Sequence, residues 1–210
     1  MSNDKEIVFR QLTERIKACQ RCPGLNLART TESAPGYGSL YSRVFIVGQS
    51  LCRRCMQTQI PFTGGCGVLL DQAFQTAHVR KEEVFISNVV HCHPPNNRPS
   101  LPLEIINCRG YLHEELQIVS PSIVVALGKD AAEWFLGPID ELRATVWRPH
   151  QVRDYIVYAA YHPSYVMKQP RHVRERYVEM LAHIVGAALG TGILADGMRV
   201  EEPLSLFPSV

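Results

Sequence analysis

Cysteine is the residue type whose number and spacing point most directly to chemistry in this chain. The sequence contains seven cysteines, which are Cys19, Cys22, Cys52, Cys55, Cys66, Cys92 and Cys108. The first four form two C-x2-C pairs, whereas the last three stand apart. In a reducing compartment, clustered thiols bind metals or carry out redox chemistry more often than they form disulfides. The spacing therefore predicts a metal site, a reactive thiol pair, or both.

A second group of candidate residues lies at the ends of predicted strands. Short runs rich in Val and Ile predict buried strands over residues 43–48, 84–88, 122–128 and 155–162. The residues at or directly after the strand ends are Gln49, Asn88, Gly128 and His162. Ligands bind outside the carboxyl ends of parallel strands, and three of these four residues have side chains that form hydrogen bonds. The pattern predicts a binding site, although Asn88 alone suits a turn and His162 alone suits a strand end.

Helical segments alternate with these strands and must position the candidate residues. Apolar residues at helical spacing predict helices over residues 5–18, 67–78, 103–118, 129–136 and 171–189. Alternating strands and helices are typical of a parallel sheet with helices on both faces. We therefore predict an α/β fold, a single-domain three-layer α/β/α architecture with a mostly parallel central sheet of about four strands.

The length and composition bound the size and location of the protein. With 210 residues and 46% hydrophobic content, the chain can build one core, which we place in residues 1–189, with a C-terminal tail over 190–210. A net charge of +2 is too mild to predict or exclude a nucleic-acid partner. The first residues lack the apolar core of a secretory signal, and no apolar stretch is long enough to span a bilayer. We expect a cytoplasmic monomer with no membrane partner.

Four motifs together carry a family resemblance. They are GQSLCRRCMQTQIPFTGGCGVLLD at 48–71, ISNVVHCHPPNNRPS at 86–100, VVALG at 124–128 and YHPSYV at 161–166. In this order they resemble the motifs of the iron-sulfur class, family four, of uracil-DNA glycosylases. The resemblance implies a DNA glycosylase of base-excision repair, which flips uracil or a modified pyrimidine out of DNA and removes it by hydrolysis.

The same resemblance implies a metal cofactor. Its ligands are Cys19, Cys22, Cys92 and Cys108, which hold a four-iron, four-sulfur (4Fe-4S) cluster. Four thiolates suit such a cluster, but zinc bound by the same sulfurs is an alternative, and unrelated buried thiols are a third interpretation. In either metal-bound case we expect the site to tie loops together rather than to transfer electrons.

The resemblance also assigns roles in the base pocket. It implies that Phe62 stacks on the flipped base, although an ordinary core aromatic is an equally simple interpretation of Phe62 alone. It implies that Asn88 reads the pyrimidine edge with its amide donor and carbonyl acceptor. It implies that His162 is catalytic, stabilising negative charge on the leaving base.

The segment after the last predicted strand is the expected DNA contact. The resemblance implies that Ser164 grips a phosphate and that the following residues, Tyr165 to Met167, form a wedge in the minor groove. Lys168 and Arg171 follow closely, and we assign both to DNA binding. A solvated charged helix face is the alternative for the later arginines.

The chain departs from the resembling family in the first motif. Where the family begins Gly-Glu-x-Pro-Gly, this chain has Gly48-Gln49-Ser50-Leu51-Cys52. A glutamine can orient a catalytic water but cannot take its proton, and no carboxylate lies between Gly48 and Asp71. Hydrolytic excision without the glutamate of the family, in which Gln49 is the second catalytic residue and it or backbone groups place the water, is thus one hypothesis. A non-catalytic lesion-binding protein is another, and a thiol redox module built on Cys52 and Cys55 is a third.

Overall fold

A computed structural model describes residues 2–191 of the chain. The helices are α1 (Ser2–Lys17), α2 (Arg53–Thr58), α3 (Val68–Thr76), α4 (Pro102–Val119), α5 (Lys129–Leu136), α6 (Pro163–Val166) and α7 (Arg171–Leu189). The strands are β1 (Tyr37–Gly38), β2 (Val44–Ser50), β3 (Phe85–Val90), β4 (Ile123–Leu127), β5 (Pro149–Val152) and β6 (Tyr155–Ala160). All but the first two residues of the predicted tail lie outside the described part of the chain.

The strands form one sheet in the order β1-β3-β2-β4-β6-β5. The four inner strands run parallel, and the two edge strands are antiparallel to their neighbours. The α/β prediction is therefore confirmed, but the sheet has six strands rather than about four. Neither edge strand has the apolar pattern from which the inner strands were predicted, and the physical reasons differ. One has only two residues, and the other has the sequence PHQV, whose proline and alternating exposure suit a sheet edge.

The inner strands are buried on both faces, as parallel strands covered by helices must be. Alternate residues of β2 enter different cores. Val44 and Ile46 pack with α3 and α7, whereas Phe45 and Val47 pack with α4 and α5. The helix α1 lies outside α4, where Leu12 and Ile16 are fully buried. The three-layer arrangement follows from this alternation.

The composition of segment 49–66 suggests a loop, but the segment also contains the short helix α2. The Cys52 sulfur caps this helix by accepting a hydrogen bond from the Cys55 backbone N–H at 3.2 Å. Cysteine is not among the usual N-cap residues, so the sequence carries no ordinary start signal here. The helix ends at Gln59, which adopts a left-handed conformation.

No helix within the described residues is long and apolar enough to cross a membrane.

Candidate active site

The carboxyl ends of the parallel strands bring the predicted pocket residues together. Gly48 of β2 is paired in register with Asn88 of β3. A Cβ atom added to Gly48 would lie 2.6 Å from both Asn88 Oδ1 and Phe62 Cζ. Only a glycine fits there without displacing its neighbours. The Asn88 amide and the Phe62 ring therefore both lie directly against the Gly48 backbone.

Phe62 is held in an unusual backbone conformation, with a φ of 54°. Lys81 Nζ donates to the Phe62 carbonyl at 2.9 Å, and a Cβ atom on Gly67 would lie 1.9 Å from that same carbonyl oxygen. Left-handed backbone in a bulky residue costs free energy, so the surroundings must impose it. The ring contacts the α3–α7 core, and its centroid lies 5.9 Å from that of His162. Phe62 therefore belongs to the core and to the pocket wall at once.

Asn88 reaches the same pocket from a central strand. The residue is only 4% exposed, and within the described residues its side-chain amide makes no hydrogen bond. The residue lines the same cavity as Phe62 and His162. Its donor and acceptor are therefore available to a ligand. The simpler interpretation of Asn88 as a turn former is wrong, since it lies inside β3.

His162 follows β6 and caps helix α6. Its Nδ1 accepts a hydrogen bond from the Ser164 backbone N–H at 3.2 Å and lies 2.8 Å from Ser164 Oγ. Burial lowers the pKa of His162 to about 4, although Asp130 opposes this shift. The imidazole is therefore neutral at physiological pH, and its single proton lies on Nε2 because Nδ1 is an acceptor. His162 thus offers a neutral N–H donor to the pocket.

Gln49, at the end of β2, points its amide at a residue that the sequence did not suggest. Gln49 Nε2 donates a short hydrogen bond to the Asp130 carboxylate, on the first turn of α5. The two residues are 81 positions apart, so no local motif links them. One signal was available, because Asp130 comes two residues after the end of the third predicted strand, Gly128.

These side chains line two adjoining hollows. A cavity of about 250 Å³ is lined by Phe62, Asn88 and His162, together with Arg54 and Cys55. An open cleft of about 590 Å³ adjoins it and is lined by Gln49, Asp130, His162 and Ser164. Because His162 lines both spaces, a ligand group in the cavity and one in the cleft would both contact it. The combined space is of the size that small-molecule sites occupy.

The predicted DNA-contact residues are spread along the surface beyond His162. Ser164 and Lys168 are exposed. The Arg171 side chain is 85% exposed, but it pairs with Glu175 of its own helix at 2.7 Å and lines a separate groove between α3 and α7. The proposed wedge requires correction, because Val166 is fully buried in the core. A fully buried side chain cannot enter a DNA groove.

The four cysteines of the predicted metal site lie in one cluster. Cys92, after β3, and Cys108, on α4, are buried, and Cys19 and Cys22, in the loop after α1, pack against them. Burial raises the pKa of Cys22, and negative charge on Cys108 and Cys19 raises it further. Burial likewise raises the pKa of Cys92, with contributions from the other three thiols. The packing of all four cysteines in one cluster makes them close neighbours.

Polar groups surround these sulfurs. Asn107 Nδ2 lies 3.4 Å from Cys22 Sγ, and the Asn26 backbone donates to the Cys92 sulfur. Such hydrogen bonds to sulfur are typical of the surroundings of iron-sulfur clusters. Within residues 2–191, however, no group of three or more His, Cys, Asp or Glu side chains has the geometry to hold a single metal ion. A cluster makes a different demand, because each thiolate binds its own iron and the four sulfurs need not meet at one point.

Comparisons with known proteins place this arrangement in a family. The profile of the uracil DNA glycosylase superfamily matches residues 35–184. The chain is 33% identical to the type-4 uracil-DNA glycosylase of Thermotoga maritima, over 83% of this chain and 91% of the relative. It is 32% identical to the type-4 enzyme of Archaeoglobus fulgidus, over 79% of this chain and 86% of the relative. A type-5 uracil-DNA glycosylase of Pyrobaculum aerophilum is 30% identical over 74% of this chain and 82% of the relative.

The chain belongs to the uracil DNA glycosylase superfamily. The predicted resemblance is therefore confirmed, and the matched region contains Phe62, Asn88, His162 and the cysteines Cys92 and Cys108. Cys19 and Cys22 lie before that region. The cavity of this superfamily member is lined by residues that lie far apart in the sequence and meet near the strand ends.

This superfamily member also carries three thiols beside its pocket. The Cys52 thiol donates a hydrogen bond to the Cys55 sulfur, which lowers the pKa of Cys55 to about 6 although burial opposes the shift. The same contact raises the pKa of Cys52. Cys66 lines the cavity as well, and burial raises its pKa. Cys55 is therefore the thiol of the three with the greatest thiolate character.

Proposed function

We propose that the chain is a DNA N-glycosylase of base-excision repair, which removes uracil or a modified pyrimidine from DNA by hydrolysis. The observation that carries this proposal is the meeting of Phe62, Asn88 and His162 around one cavity in the superfamily fold. The relatives support the choice of base, since several of them are named uracil-DNA glycosylases. A flipped base needs a stacking surface, an edge reader and a group that stabilises the leaving base, and these residues supply all three.

Base reading falls to Phe62 and Asn88. The buried Phe62 ring forms one wall of the cavity, against which a planar base stacks. The Asn88 amide donates to one position of the pyrimidine edge and accepts from the next, a pattern that matches uracil but not cytosine. Because the amide lines the cavity and makes no hydrogen bond to the described residues, the correct base gives both its donor and its acceptor a partner.

Bond cleavage depends on His162. As the bond between the base nitrogen N1 and the sugar carbon C1′ breaks, its electron pair moves to the base and negative charge develops on the base carbonyl oxygen. The neutral Nε2–H of His162 donates to that oxygen, a fixed donor aimed at developing charge. Water then adds to C1′, and Gln49 accepts a hydrogen bond from that water through its free carbonyl oxygen. The products are a free base and an abasic site.

We assign DNA binding to Ser164, Lys168 and Arg171. Exposed Lys168 is available to a phosphate, whereas Arg171 must first leave Glu175. We further propose that the protein acts as a monomer in the cytoplasm. The cytoplasmic location is supported by the seven cysteines, all of which are free thiols.

We propose that Cys19, Cys22, Cys92 and Cys108 hold a 4Fe-4S cluster. The packing of four thiols in one group, with hydrogen-bond donors at two sulfurs, suits this cofactor. The cluster would supply structural cross-linking of the loop after α1, the loop after β3 and helix α4. Zinc at the same four sulfurs is the alternative, but it requires the sulfurs to converge on one ion, an arrangement that the described residues do not have. Metal analysis distinguishes the two.

The test uses anaerobically purified protein and end-labelled oligonucleotides with a single U:G, U:A or T:G pair, or uracil in a single strand. We expect alkali-labile abasic sites at uracil and none at thymine. Retention of uracil-containing DNA without abasic sites would instead indicate a lesion-binding protein. Equal behaviour toward uracil and thymine would contradict the assigned pocket.

A further inference from the structure

The carboxylate that the first motif lacks is present elsewhere in the pocket. Gln49 is the penultimate residue of β2, and Asp130 lies three residues after the end of β4, the neighbour of β2 in the sheet. Because neighbouring parallel strands end at the same edge, the two side chains meet there and form a hydrogen bond. The order of strands in the sheet thus brings together two residues that are far apart in the sequence.

We propose that Asp130 is the catalytic carboxylate of this glycosylase and that Gln49 is the residue that positions it. This inference rests on the proposed function. Both residues line the cleft that adjoins the base cavity, and His162 lines both spaces. A base held in the cavity leaves its sugar outside it, and the cleft is the adjoining open space through which water can reach that sugar.

A structural role in helix capping does not account for Asp130. The N-cap of α5 is Gly128, and no side chain makes a capping hydrogen bond there. Lys129, its neighbour, pairs with Glu133 instead. The side-chain hydrogen bond that Asp130 makes within the described residues is the one from Gln49. Helix α5 contributes its positive end, which favours a negative charge on its first turn.

The hydrogen bond also fixes the direction of Gln49. A carboxylate only accepts, so the Gln49 nitrogen must face Asp130 and the Gln49 carbonyl oxygen must face away from it. A water in the cleft can donate one proton toward Gln49 Oε1 and the other toward Asp130. As the water oxygen bonds to C1′, its proton passes to the Asp130 carboxylate, while the electron pair of the broken N1–C1′ bond stays on the base. Asp130 therefore does what Gln49 cannot.

The test exchanges the two functional groups. Asp130→Asn should lower the single-turnover rate of uracil excision on the order of 10²- to 10³-fold, within the range for loss of a general base. Binding of the uracil-containing duplex should change less than threefold. The double variant Gln49→Glu with Asp130→Asn moves the carboxylate to the other strand end and keeps one amide beside it. It should recover at least tenfold over Asp130→Asn alone.

Glu133→Gln is the matched control, because it exchanges a carboxylate for an amide one turn further along α5, at a residue that lines neither the cleft nor the cavity, and it should leave the rate unchanged. Thermal unfolding of each variant separates a folding defect from a chemical one. If Asp130→Asn unfolds below the assay temperature, Asp130→Glu replaces it, and its rate should then exceed that of Asp130→Ala by at least tenfold.

The outcomes separate the two proposals. Wild-type excision of uracil with an Asp130→Asn rate within threefold of it overturns the role of Asp130 and leaves the glycosylase function standing. Failure of the wild type to produce abasic sites overturns the function, and the role of Asp130 falls with it. A slow Asp130→Asn variant that binds the uracil-containing duplex normally and unfolds normally supports the role of Asp130. Recovery of less than tenfold in the double variant overturns the claim that a carboxylate at position 49 can replace it.

Discussion

At the scale of single residues, the pocket depends on groups whose hydrogen-bonding capacity is unused by the protein itself. The Asn88 amide and the His162 Nε2–H are both in this state within the described residues. Each is held in place by backbone that permits little movement, in one case a central strand and in the other a helix cap. Fixed donors of this kind stabilise charge without reorganising, which is why they are effective in catalysis.

Replacing Asn88 tests base reading. Asn88→Ala should lower the excision rate of uracil on the order of 10²-fold, because the base loses its edge contacts. Affinity for DNA without uracil should change little, since phosphate contacts carry general binding. Single-turnover excision and binding titrations measure the two effects separately. An Asn88→Ala enzyme that still prefers uracil would show that another group reads the base.

The histidine makes a prediction about stability and pH. The pKa of His162 falls from its ordinary 6.5 to about 4 because of burial. Above pH 6.5 the ring is neutral in both folded and unfolded chains, so it contributes nothing to the pH dependence. Between 6.5 and 4 the unfolded chain binds a proton that the folded chain does not, so stability falls as the pH falls.

The variant His162→Gln lacks this proton uptake. The difference in unfolding free energy, wild type minus variant, should therefore decrease by about 1–2 kcal/mol from neutral to acid pH, a value reduced for partial solvent exposure. Urea unfolding at a series of pH values measures it. His172→Gln, on the exposed start of α7, is the control. A difference that does not vary with pH would place His162 in a more polar setting than its burial indicates.

At the scale of elements, the cysteine cluster joins three segments that share no strand or helix. Cys19 and Cys22 lie in the loop after α1, Cys92 lies after β3, and Cys108 lies on α4. A cofactor bound by all four would replace contacts that this small satellite core cannot supply by packing alone. Its loss should therefore affect stability more than the chemistry of the base pocket.

Replacing single cysteines tests this arrangement. Cys92→Ala or Cys108→Ala should remove most of the iron and sulfide from anaerobically purified protein and lower its unfolding temperature. Cys66→Ala is the control. Cys66 packs in the α3–α7 core, so this variant should retain the metal. Iron, sulfide and zinc analyses report the outcome. Stoichiometric zinc in place of iron would preserve the four ligands and refute the iron-sulfur assignment.

Elements also mark the limit of what the sequence could predict. The four inner strands and the helices that cover them follow from periodic apolar residues, and their observed ends lie within a few residues of the predicted ones. The strand-end rule likewise brought Gln49, Asn88 and His162 to one edge of the sheet, where they line the adjoining cavity and cleft, although their roles there stay predictions. It missed Asp130 because contact with Gln49 depends on the order of strands in the sheet, which no local pattern encodes.

The burial of Glu115 likewise could not be predicted from the sequence. Glu115 is fully buried on α4, where it accepts a hydrogen bond from the Gly36 backbone at 2.7 Å and lies 3.1 Å from His91 Nε2. Ser87 of β3 donates to the same carboxylate. A glutamate on a helix reads as a surface residue from sequence, since glutamate is seldom buried without partners. Its partners come from two distant segments, one before β1 and one in and just after β3, and become visible only in the fold.

At the scale of the whole molecule, charge is nearly balanced, with a net charge of +2. Attraction to DNA must then arise from where the cations lie rather than from their number. The base pocket opens at the carboxyl ends of the inner strands, and Lys168 follows His162 on that side. The turn between β5 and β6 lies at the opposite end of β6, and it carries the exposed Arg153.

This asymmetry predicts which cations contact phosphates. Each phosphate contact contributes about 0.9 to the slope of log affinity against log salt, because a condensed counterion is released. Lys168→Gln should therefore lower the slope by about one unit for duplex DNA without uracil, and weaken binding to all sequences alike. Arg153→Gln removes the same charge at the opposite end of the sheet and should leave the slope unchanged.

Arg171→Gln should give a smaller decrease than Lys168→Gln, because binding a phosphate requires Arg171 to leave Glu175. Fluorescence anisotropy over a range of salt concentrations measures all three slopes on one duplex, and the absence of uracil keeps excision out of the measurement. Equal slopes for Lys168→Gln and wild type would remove the residues after His162 from the DNA contact. A decrease for Arg153→Gln as large as that for Lys168→Gln would mean that DNA binds without regard to the pocket face.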